Sequence, residues 1–306
     1  PSYPDIFMKL AGDKYDIKES IWEVEFYGNR TDQYVETGNI GWINGPAAGA
    51  ASSTGRADAY MNITSEFYNK FQPGDNRKWF SIAHFTYTAA GAKTMSSLPV
   101  DENAKNNLKP GKWRREYETL LPKSPTTTPI NMVLLRYSDI LLMYAEAENE
   151  LKGPTADAVE AFNKVRRRAW STGIKTIAVT NGGSGYTTAP TVTFSGAGGA
   201  TATATIAGGR VTAINLDRDP LAITFNNEGS YTSVPTITIS GGGGSGAAAT
   251  ATISRATEGN LNPASKEAFL AAIQDERMRE FNFENTRKAD LLRWGIFLKV
   301  HQDMGN

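Results

Sequence analysis

Leu135-Arg136-Tyr137-Ser138-Asp139-Ile140-Leu141-Leu142-Met143-Tyr144-Ala145-Glu146-Ala147 continues to Leu151 without a glycine or proline and then meets Gly153-Pro154. The run Arg136 to Leu151, with Leu135, Leu142, Tyr144 and Ala145 in its apolar set, predicts a helix that stops at that pair. Thr155 stands where it caps a second helix. Val159, Phe162, Val165 and Ala169 recur at three and four residues, which is one apolar face. Arg166, Arg167 and Arg168 close that helix, where cations favour the helix dipole. Two helices joined by so short a turn predict an antiparallel hairpin of the tetratricopeptide type.

Further along the chain, Asn262-Pro263 reads as an N-cap followed by proline at the first helical position, and Phe269, Ala272, Ile273 and Glu276 continue that helix. A last short helix is expected over Arg287 to Trp294, stopped by Gly295. Upstream, Ser20 to Tyr27 alternates Trp22, Val24 and Phe26 against Glu23 and Glu25, the pattern of a half-buried strand. Residues 28–62 read as loop. Thr64 to Phe71 reads as a helix ended by Pro73-Gly74, and Trp79 to Tyr87 as a strand with Trp79, Phe85 and Tyr87 in the core.

Between the helical stretches the composition changes abruptly. Residues 177–253 hold five of the 64 charged side chains (Arg210, Asp217, Arg218, Asp219 and Glu228), and 14 of the 29 glycines fall between Gly182 and Gly246. The segment is also an internal repeat. Gly183-Ser184-Gly185-Tyr186-Thr187-Thr188-Ala189-Pro190-Thr191-Val192-Thr193-Phe194-Ser195-Gly196 reads against Gly229-Ser230-Tyr231-Thr232-Ser233-Val234-Pro235-Thr236-Ile237-Thr238-Ile239-Ser240-Gly241. Each unit then runs through glycines to an Ala/Thr strand, Ala200 to Ile206 and Ala247 to Ile253. Thr, Val and Ile alternate with period two, and Gly208-Gly209 predicts a hairpin into Val211–Leu216. A flexible linker would not keep such alternation. The expected organisation is a mainly α scaffold with irregular loops, 1–175 and 257–306, carrying an inserted all-β module of two similar units over 176–256, either a pseudo-symmetric sandwich or a paired meander. Tyr186 and Tyr231, equivalent in the repeat, are expected to pack at turns.

The whole chain of 306 residues balances 32 Lys and Arg against 32 Asp and Glu, so no global basic excess favours nucleic acid. With no cysteine, disulfides, thiol catalysis and cysteine metal sites are excluded. His84 and His301 are the only histidines and neither sits in a metal or triad motif, so no metal, cofactor or catalytic residue is assigned. No apolar run approaches the length of a membrane span. The chain opens at Pro1, without an initiator Met, which reads as a processed or partial chain.

Three stretches together resemble the C-terminal part of the SusD/RagB family of glycan-binding outer-membrane lipoproteins. They are the Leu135–Ala147 run with Phe162-Asn163-Lys164-Val165-Arg166-Arg167-Arg168-Ala169; then Asp275-Glu276-Arg277-Met278-Arg279-Glu280-Phe281-Asn282-Phe283-Glu284 with Arg287, Asp290-Leu291 and Arg293-Trp294-Gly295; and, more weakly, Phe71 with Asp75-Asn76-Arg77. Asn285 stands where the family usually has Gly, and Lys288 where an aromatic residue is common. The β insertion is not a general family feature. The resemblance implies a non-catalytic binder of oligosaccharide or another nutrient, held at the cell surface by a lipid anchor that this chain lacks. It also implies delivery to a SusC-like TonB-dependent outer-membrane transporter. Two rivals stand beside it: a glycoside hydrolase, and a structural or adhesive surface protein acting through the β module.

The motif charges Arg136, Asp139, Glu146, Arg277, Glu280, Arg287 and Asp290 lie among apolar residues with both signs balanced. They read as ion pairs that fix helix packing rather than as an acid–base pair. Arg287 and Asp290 are expected to pair with the charges of Glu276 to Glu280. Sugar binding needs flat aromatic faces and polar groups for hydroxyls. The loop region supplies Tyr34, Trp42, Asn44, Arg56, Asp58 and Tyr60, which are the candidate ligand-binding residues. Trp42 lies amid glycines in Gly41-Trp42-Ile43-Asn44-Gly45, outside any periodic pattern, so both an exposed stacking role and a core anchor stay open.

Overall fold

The computed structural model describes residues 2–16, 18–27, 36–95, 102–217 and 228–304, which fall into two compact units. The first comprises residues 1–73, 77–168 and 261–306, and the second residues 74–76 and 169–260.

In the first unit the backbone is extended at Arg136 and turns helical at Tyr137, giving α3 (Tyr137–Lys152), with Asp139 in the first turn. It follows α1 (Tyr3–Ala11) and α2 (Ile40–Asn44). Gly153 ends α3 at φ +81, a region that glycine enters without the Cβ penalty, and its N–H reaches the Asn149 carbonyl at 2.9 Å. The Thr155 hydroxyl accepts from the Ala158 N–H at 3.3 Å and starts α4 (Ala156–Ala169), as its position in the sequence implies. Leu142 and Ala145 of α3, and Ala158, Phe162 and Val165 of α4, share one buried cluster with Phe269, Ile273 and Phe281. Phe162 meets Phe269 edge to face at 5.4 Å. Each of these large side chains contributes about 1.5–3 kcal/mol by leaving water.

Phe269 and Ile273 belong to α5 (Lys266–Glu280), whose start corrects the sequence reading. Its cap is Ser265, which accepts from the Ala268 N–H at 3.2 Å, not Asn262. The Asn163 side chain brackets Leu261, donating to its carbonyl at 3.0 Å and accepting from its N–H at 2.8 Å. With Leu261 held in this way, the helix begins only after Pro263, at Lys266. A seven-residue helix, α6 (Arg287–Arg293), follows and ends before Gly295. Between α5 and α6, Asn285 sits at φ +63. Asn is the side chain that best tolerates this left-handed conformation after glycine, which accounts for its standing at a glycine position.

Two more expectations change. β1 (Ser20–Val24) pairs antiparallel with β2 (Met132–Arg136), but Trp22 is 65% exposed instead of facing the core. The pairing slips on either side of Trp22, and such bulges break the strict alternation that the sequence pattern presumes. The segment 79–87 is not one strand: a helical turn covers Arg77–Ser81, and short strands Ile82–Ala83 and Phe85–Tyr87 follow. Phe85 and Tyr87 are buried as expected.

Among the described residues the second unit is built of strands, with one short 3-10 turn at Ala256–Gly259. β3 (Ile174–Ser184) pairs with β8 (Ser245–Ile253), while β4 (Thr191–Phe194), β5 (Ala202–Ala207), β6 (Arg210–Leu216) and β7 (Ile237–Ser240) form a sheet in the order β6-β5-β4-β7. All pairings are antiparallel. Gly208 and Gly209, both at positive φ, make the expected hairpin between β5 and β6. The two repeat units are joined crosswise. The Tyr186 hydroxyl accepts from the Ala247 N–H at 3.4 Å, and the Tyr231 hydroxyl accepts from the Ala200 N–H at 3.1 Å. The tyrosine of each unit thus serves the strand entry of the other. Gly198 and Gly244 make room for the rings: a Cβ would lie 2.2 Å from the Tyr231 ring at the first and 2.5 Å from the Tyr186 ring at the second. Tyr186 packs with Val192, Ala204, Val211 and Ile214, and Tyr231 with Ile174 and Ala251.

Candidate functional site

Three of the six candidate residues meet on the carboxylate of a fourth, Asp58. α2 lies close on residues 128–130: a Cβ at Gly41 would stand 2.7 Å from Ile130 Cδ1. Glycine lets α2 approach that closely beside Trp42, which is half-buried. The chain returns at 58–60, where the Asp58 N–H reaches the Trp42 carbonyl at 2.9 Å and the Tyr60 N–H reaches the Ile43 carbonyl at 3.0 Å. Between them Ala59 is buried at φ +49. This is a left-handed conformation that costs a non-glycine residue about 1 kcal/mol, and it sets the Asp58 and Tyr60 side chains within reach of each other.

Asp58 Oδ2 accepts from the Trp42 indole Nε1 at 2.9 Å, from Arg56 Nη2 at 2.9 Å and from the Tyr60 hydroxyl at 3.1 Å. Oδ1 accepts from Arg56 Nε at 2.6 Å. Trp42 and Tyr60 stand edge to face at 6.0 Å. The Arg56 fork first, then the Tyr60 and Trp42 donors, holds the Asp58 carboxyl below its ordinary range. The same carboxylate raises Arg56, and its hydrogen bond raises the Tyr60 phenol. Tyr60 is 64% exposed, so the cluster presents an aromatic surface next to a neutralised ion pair. Trp42 is thus neither a core anchor nor a free plate but one wall of this cluster. Asn44 is buried and hydrogen-bonds none of the four. Tyr34 lies outside the described residues.

A support that the sequence does not announce lies beneath. Arg115 is buried, and its Nη1 donates to the Arg56 carbonyl at 2.6 Å. Its other nitrogens hold Glu118 at 2.8 and 3.0 Å and the Ser124 and Thr127 carbonyls at 2.9 and 3.1 Å. Nothing in the spacing of Arg114-Arg115-Glu116 distinguishes this post from a solvated charge run.

The motif charges are elsewhere and do something different. Glu276 is fully buried and accepts from Arg77, Arg166 and Arg279 at 2.6, 2.9 and 2.8 Å. Glu280, also fully buried, takes Arg77 at 2.9 Å, Arg136 at 2.5 Å and Arg168. Arg136 further reaches Glu19 and Glu284, both at 2.9 Å. Lys112 Nζ lies among three acceptors, Glu284 Oε1 at 2.7 Å and the carbonyls of Asn282 and Glu280. Burial pushes that ammonium down to about 8. For Glu276 burial alone would raise the pKa; Arg77, Arg279 and Arg166 outweigh it and hold the carboxyl at about 2. Glu280 is lowered further still, against burial, by Arg168, Arg136 and Arg77. These carboxylates stay charged and enclosed at neutral pH, as packing ion pairs do. Asp290 pairs with Arg277 at 2.8 Å and Arg293 at 3.0 Å, as expected for a partner in the 276–280 run. Arg287 departs from expectation: it makes no ion pair with that run, whose acids Glu276 and Glu280 are taken by Arg77, Arg166, Arg279, Arg136 and Arg168.

Among the described residues no group of three or more metal-ligating side chains is assembled, and no helix is long and apolar enough to cross a membrane.

A model of the SusD family matches residues 18–193 and 245–306, leaving out only a stretch inside the glycine-rich module and the first residues. A SusD homolog from Bacteroides thetaiotaomicron VPI-5482 shares the fold with a TM-score of 0.61 at 22% identity, over 99% of this chain and 46% of that one. A laminarin-binding SusD-like protein aligns with a TM-score of 0.50 at 18% identity, over 100% of this chain and 47% of that one. SusD-like protein P25 of Formosa agariphila is 52% identical over 42 residues, 14% of this chain and 8% of the relative. The chain spans less than half the length of each of these proteins.

Proposed function

The chain belongs to the SusD family, and from that premise we propose that it is a non-catalytic glycan-binding protein whose ligand lies on Trp42 and Tyr60. The observation that carries the reading is the convergence of Trp42, Arg56 and Tyr60 on Asp58. Aromatic faces take the apolar C–H face of a sugar, and the amphipathic Tyr and Trp tips suit hydroxyls. Arg56 and Asp58 cancel in charge, so the surface favours a neutral glycan over a uronic acid. The fold shared with a laminarin-binding protein supports the ligand class. Glu276, enclosed and held at about 2 by Arg77, Arg279 and Arg166, has no proton to give at neutral pH, which supports a structural over an acid–base role for that motif carboxylate.

The family reading extends to location and partner. A lipid anchor outside this chain holds the protein at the outer-membrane surface, the helical hairpin is of tetratricopeptide type, and a SusC-like TonB-dependent barrel takes over the glycan. Gentle detergent extraction followed by affinity capture tests the partner. Recovery of the protein without any large barrel would leave a stand-alone binder.

The site itself is tested by screening neutral glycans against the protein and titrating the best one calorimetrically. Trp42→Ala should weaken binding several-fold, because stacking adds about 1 kcal/mol beyond area, while the melting temperature stays put. Unchanged affinity, or release of shorter sugars from the glycan by the purified protein, would overturn the reading.

A further inference from the structure

Within the first unit, a cavity of about 310 Å³ opens between the segment ahead of β1, the first turns of α3 and the second half of α4. It shares no residue with the Asp58 cluster. Three cations line it: Lys18 from the first of these elements, and Lys164 and Arg168, one turn apart, from the last. One carboxylate lines it, Glu19, and it is already engaged. It accepts from Arg136 at 2.9 Å, from Arg168 at 2.8 Å and from the Ser138 hydroxyl at 2.6 Å. Arg168 is engaged as well, by Glu19 and Glu280. The two lysines are not. Both are exposed, and neither ammonium has an ion pair or hydrogen bond among the described residues. The carboxylates nearest them along the chain are held by other cations, Asp16 by Lys9 at 3.0 Å and Glu160 by Arg167. The rest of the wall is the half-exposed Tyr137 with Leu141 and Val165. A concave site thus combines an excess of reachable positive charge with an aromatic ring.

We propose that this cavity binds a sugar carrying an ester sulfate or phosphate, with the oxyanion between Lys18 and Lys164 and the sugar ring against Tyr137 and Leu141. That a sugar carries the anion rests on the glycan reading above; the anion seat itself does not. The kind of anion follows from the kind of donor. A planar carboxylate is matched best by a guanidinium fork, and the fork lining this cavity, Arg168, is turned on Glu19 and Glu280. The free donors are two ammonium groups on different elements. They act as point charges, each able to meet a separate oxygen of a tetrahedral group. The Tyr137 ring suits the C–H face of a sugar, and its hydroxyl suits a sugar hydroxyl. The volume sits at the lower end of ligand cavities, the scale of one sugar unit with its ester. Charge separates this site from the Asp58 cluster. There Arg56 and Asp58 cancel, whereas here two cations stand without a carboxylate.

The full chain is titrated calorimetrically at low ionic strength with glucose 6-sulfate and glucose 6-phosphate, and with glucose, glucuronate and inorganic sulfate as controls. Saturable binding of the esters is expected, and whichever binds tighter names the source of the oxyanion. The controls should bind about tenfold more weakly than that ester or worse, and its affinity should fall as salt is raised. Lys18→Gln and Lys164→Gln should each weaken the ester about three- to fivefold, and the double variant should bind it no better than glucose. Both side chains are exposed and uncommitted, so the melting temperature should stay with the parent. The double variant should also bind a neutral glycan as the parent does. Glucose or glucuronate binding as tightly as the ester would overturn the proposal. So would inorganic sulfate binding as tightly, which would mean an adventitious ion only, or a double variant that keeps the parent's ester affinity. None of these results touches the neutral-glycan reading, which is decided separately by Trp42→Ala.

Discussion

Glu276→Gln exchanges a carboxylate for the nearest neutral copy of its protonated form, at the point where three elements of the first unit meet. Arg77, Arg166 and Arg279 all spend a nitrogen on that carboxylate, and its side chain is wholly enclosed. The pKa of Glu276 is about 2, against an ordinary 4.5. Each factor of ten in acid strength is about 1.4 kcal/mol, so the folded state gains roughly 3 kcal/mol from keeping this group charged. Independently, breaking a buried pair by removing one partner costs about 3–5 kcal/mol. The two figures agree, and for a unit of this size they translate into a fall of about 6–20 °C in melting temperature. The sign of the pH dependence follows. A carboxyl whose folded pKa is depressed stabilises above its unfolded value, so the contribution is complete above about 4.5 and is lost as pH falls toward about 2. Glu280 and Glu19 are lowered as well and steepen the same limb. Urea unfolding followed by helical circular dichroism from pH 7 down to pH 3 is the assay. The parent should lose stability with acid. Glu276→Gln should start about 3 kcal/mol lower at pH 7, and its deficit should shrink as pH falls. A deficit below 1 kcal/mol at pH 7, or an equal deficit at all pH values, would refute the reasoning.

Asp290→Ala should cost about 3–5 kcal/mol, read by urea unfolding, because it leaves Arg277 with one partner of two. Normal stability with a selective loss of glycan binding would reverse the structural assignment. In the β module, Gly198→Ala forces a Cβ into the Tyr231 ring and should destabilise that unit by about 1–3 kcal/mol, read by hydrogen exchange of β5; an unchanged exchange rate would contradict the crosswise pairing. Replacing residues 176–256 with a short Gly/Ser linker should leave a scaffold that keeps its helical dichroism and melts cooperatively. Loss of both would end the reading of that stretch as an insertion.

What could be read from the sequence depended on how local the cause was. Thr155 caps α4 through a hydroxyl three residues from its donor, and Gly153 ends α3 by its own backbone freedom, so both boundaries were visible in a window of a few residues. The 45-residue repeat was visible for the same reason, as a pattern written twice. The crosswise exchange of Tyr186 and Tyr231 was not, because nothing in either unit says which copy of the strand its tyrosine will meet. Trp22 shows the converse error: its alternation with Glu23 and Glu25 is that of a half-buried strand, and only the slipped pairing with β2 turns it outward. The start of α5 was misplaced because the Asn163 clamp on Leu261 lies about a hundred residues from the cap it displaces.

The charges make the same point more sharply, and they connect scaffold to site. Asp58 and Glu276 are both carboxylates held by arginine, and the sequence separates them only by placing one in a loop and the other on a helix. Their surroundings separate them further. Glu276 takes its three guanidinium groups from 77, 166 and 279, brought together only when the first unit closes, so its charge reports on folding. Asp58 takes all its donors from within 16 residues of itself, and its side chain, 17% exposed, lies at the surface beside an exposed aromatic ring. A carboxylate satisfied locally and left near solvent contributes little to stability, since an exposed pair is worth about 0–1 kcal/mol. Its placement therefore needs another explanation than stability, and orienting Trp42 and Tyr60 supplies one. Asp58→Asn keeps the size and the Trp42 and Tyr60 acceptor but releases the Arg56 fork. It should leave the melting temperature within about 2 °C while weakening glycan binding, measured by the same calorimetric titration as Trp42→Ala. A variant that unfolds early and still binds normally would place Asp58 with Glu276 in the scaffold and leave the aromatic surface without its organiser.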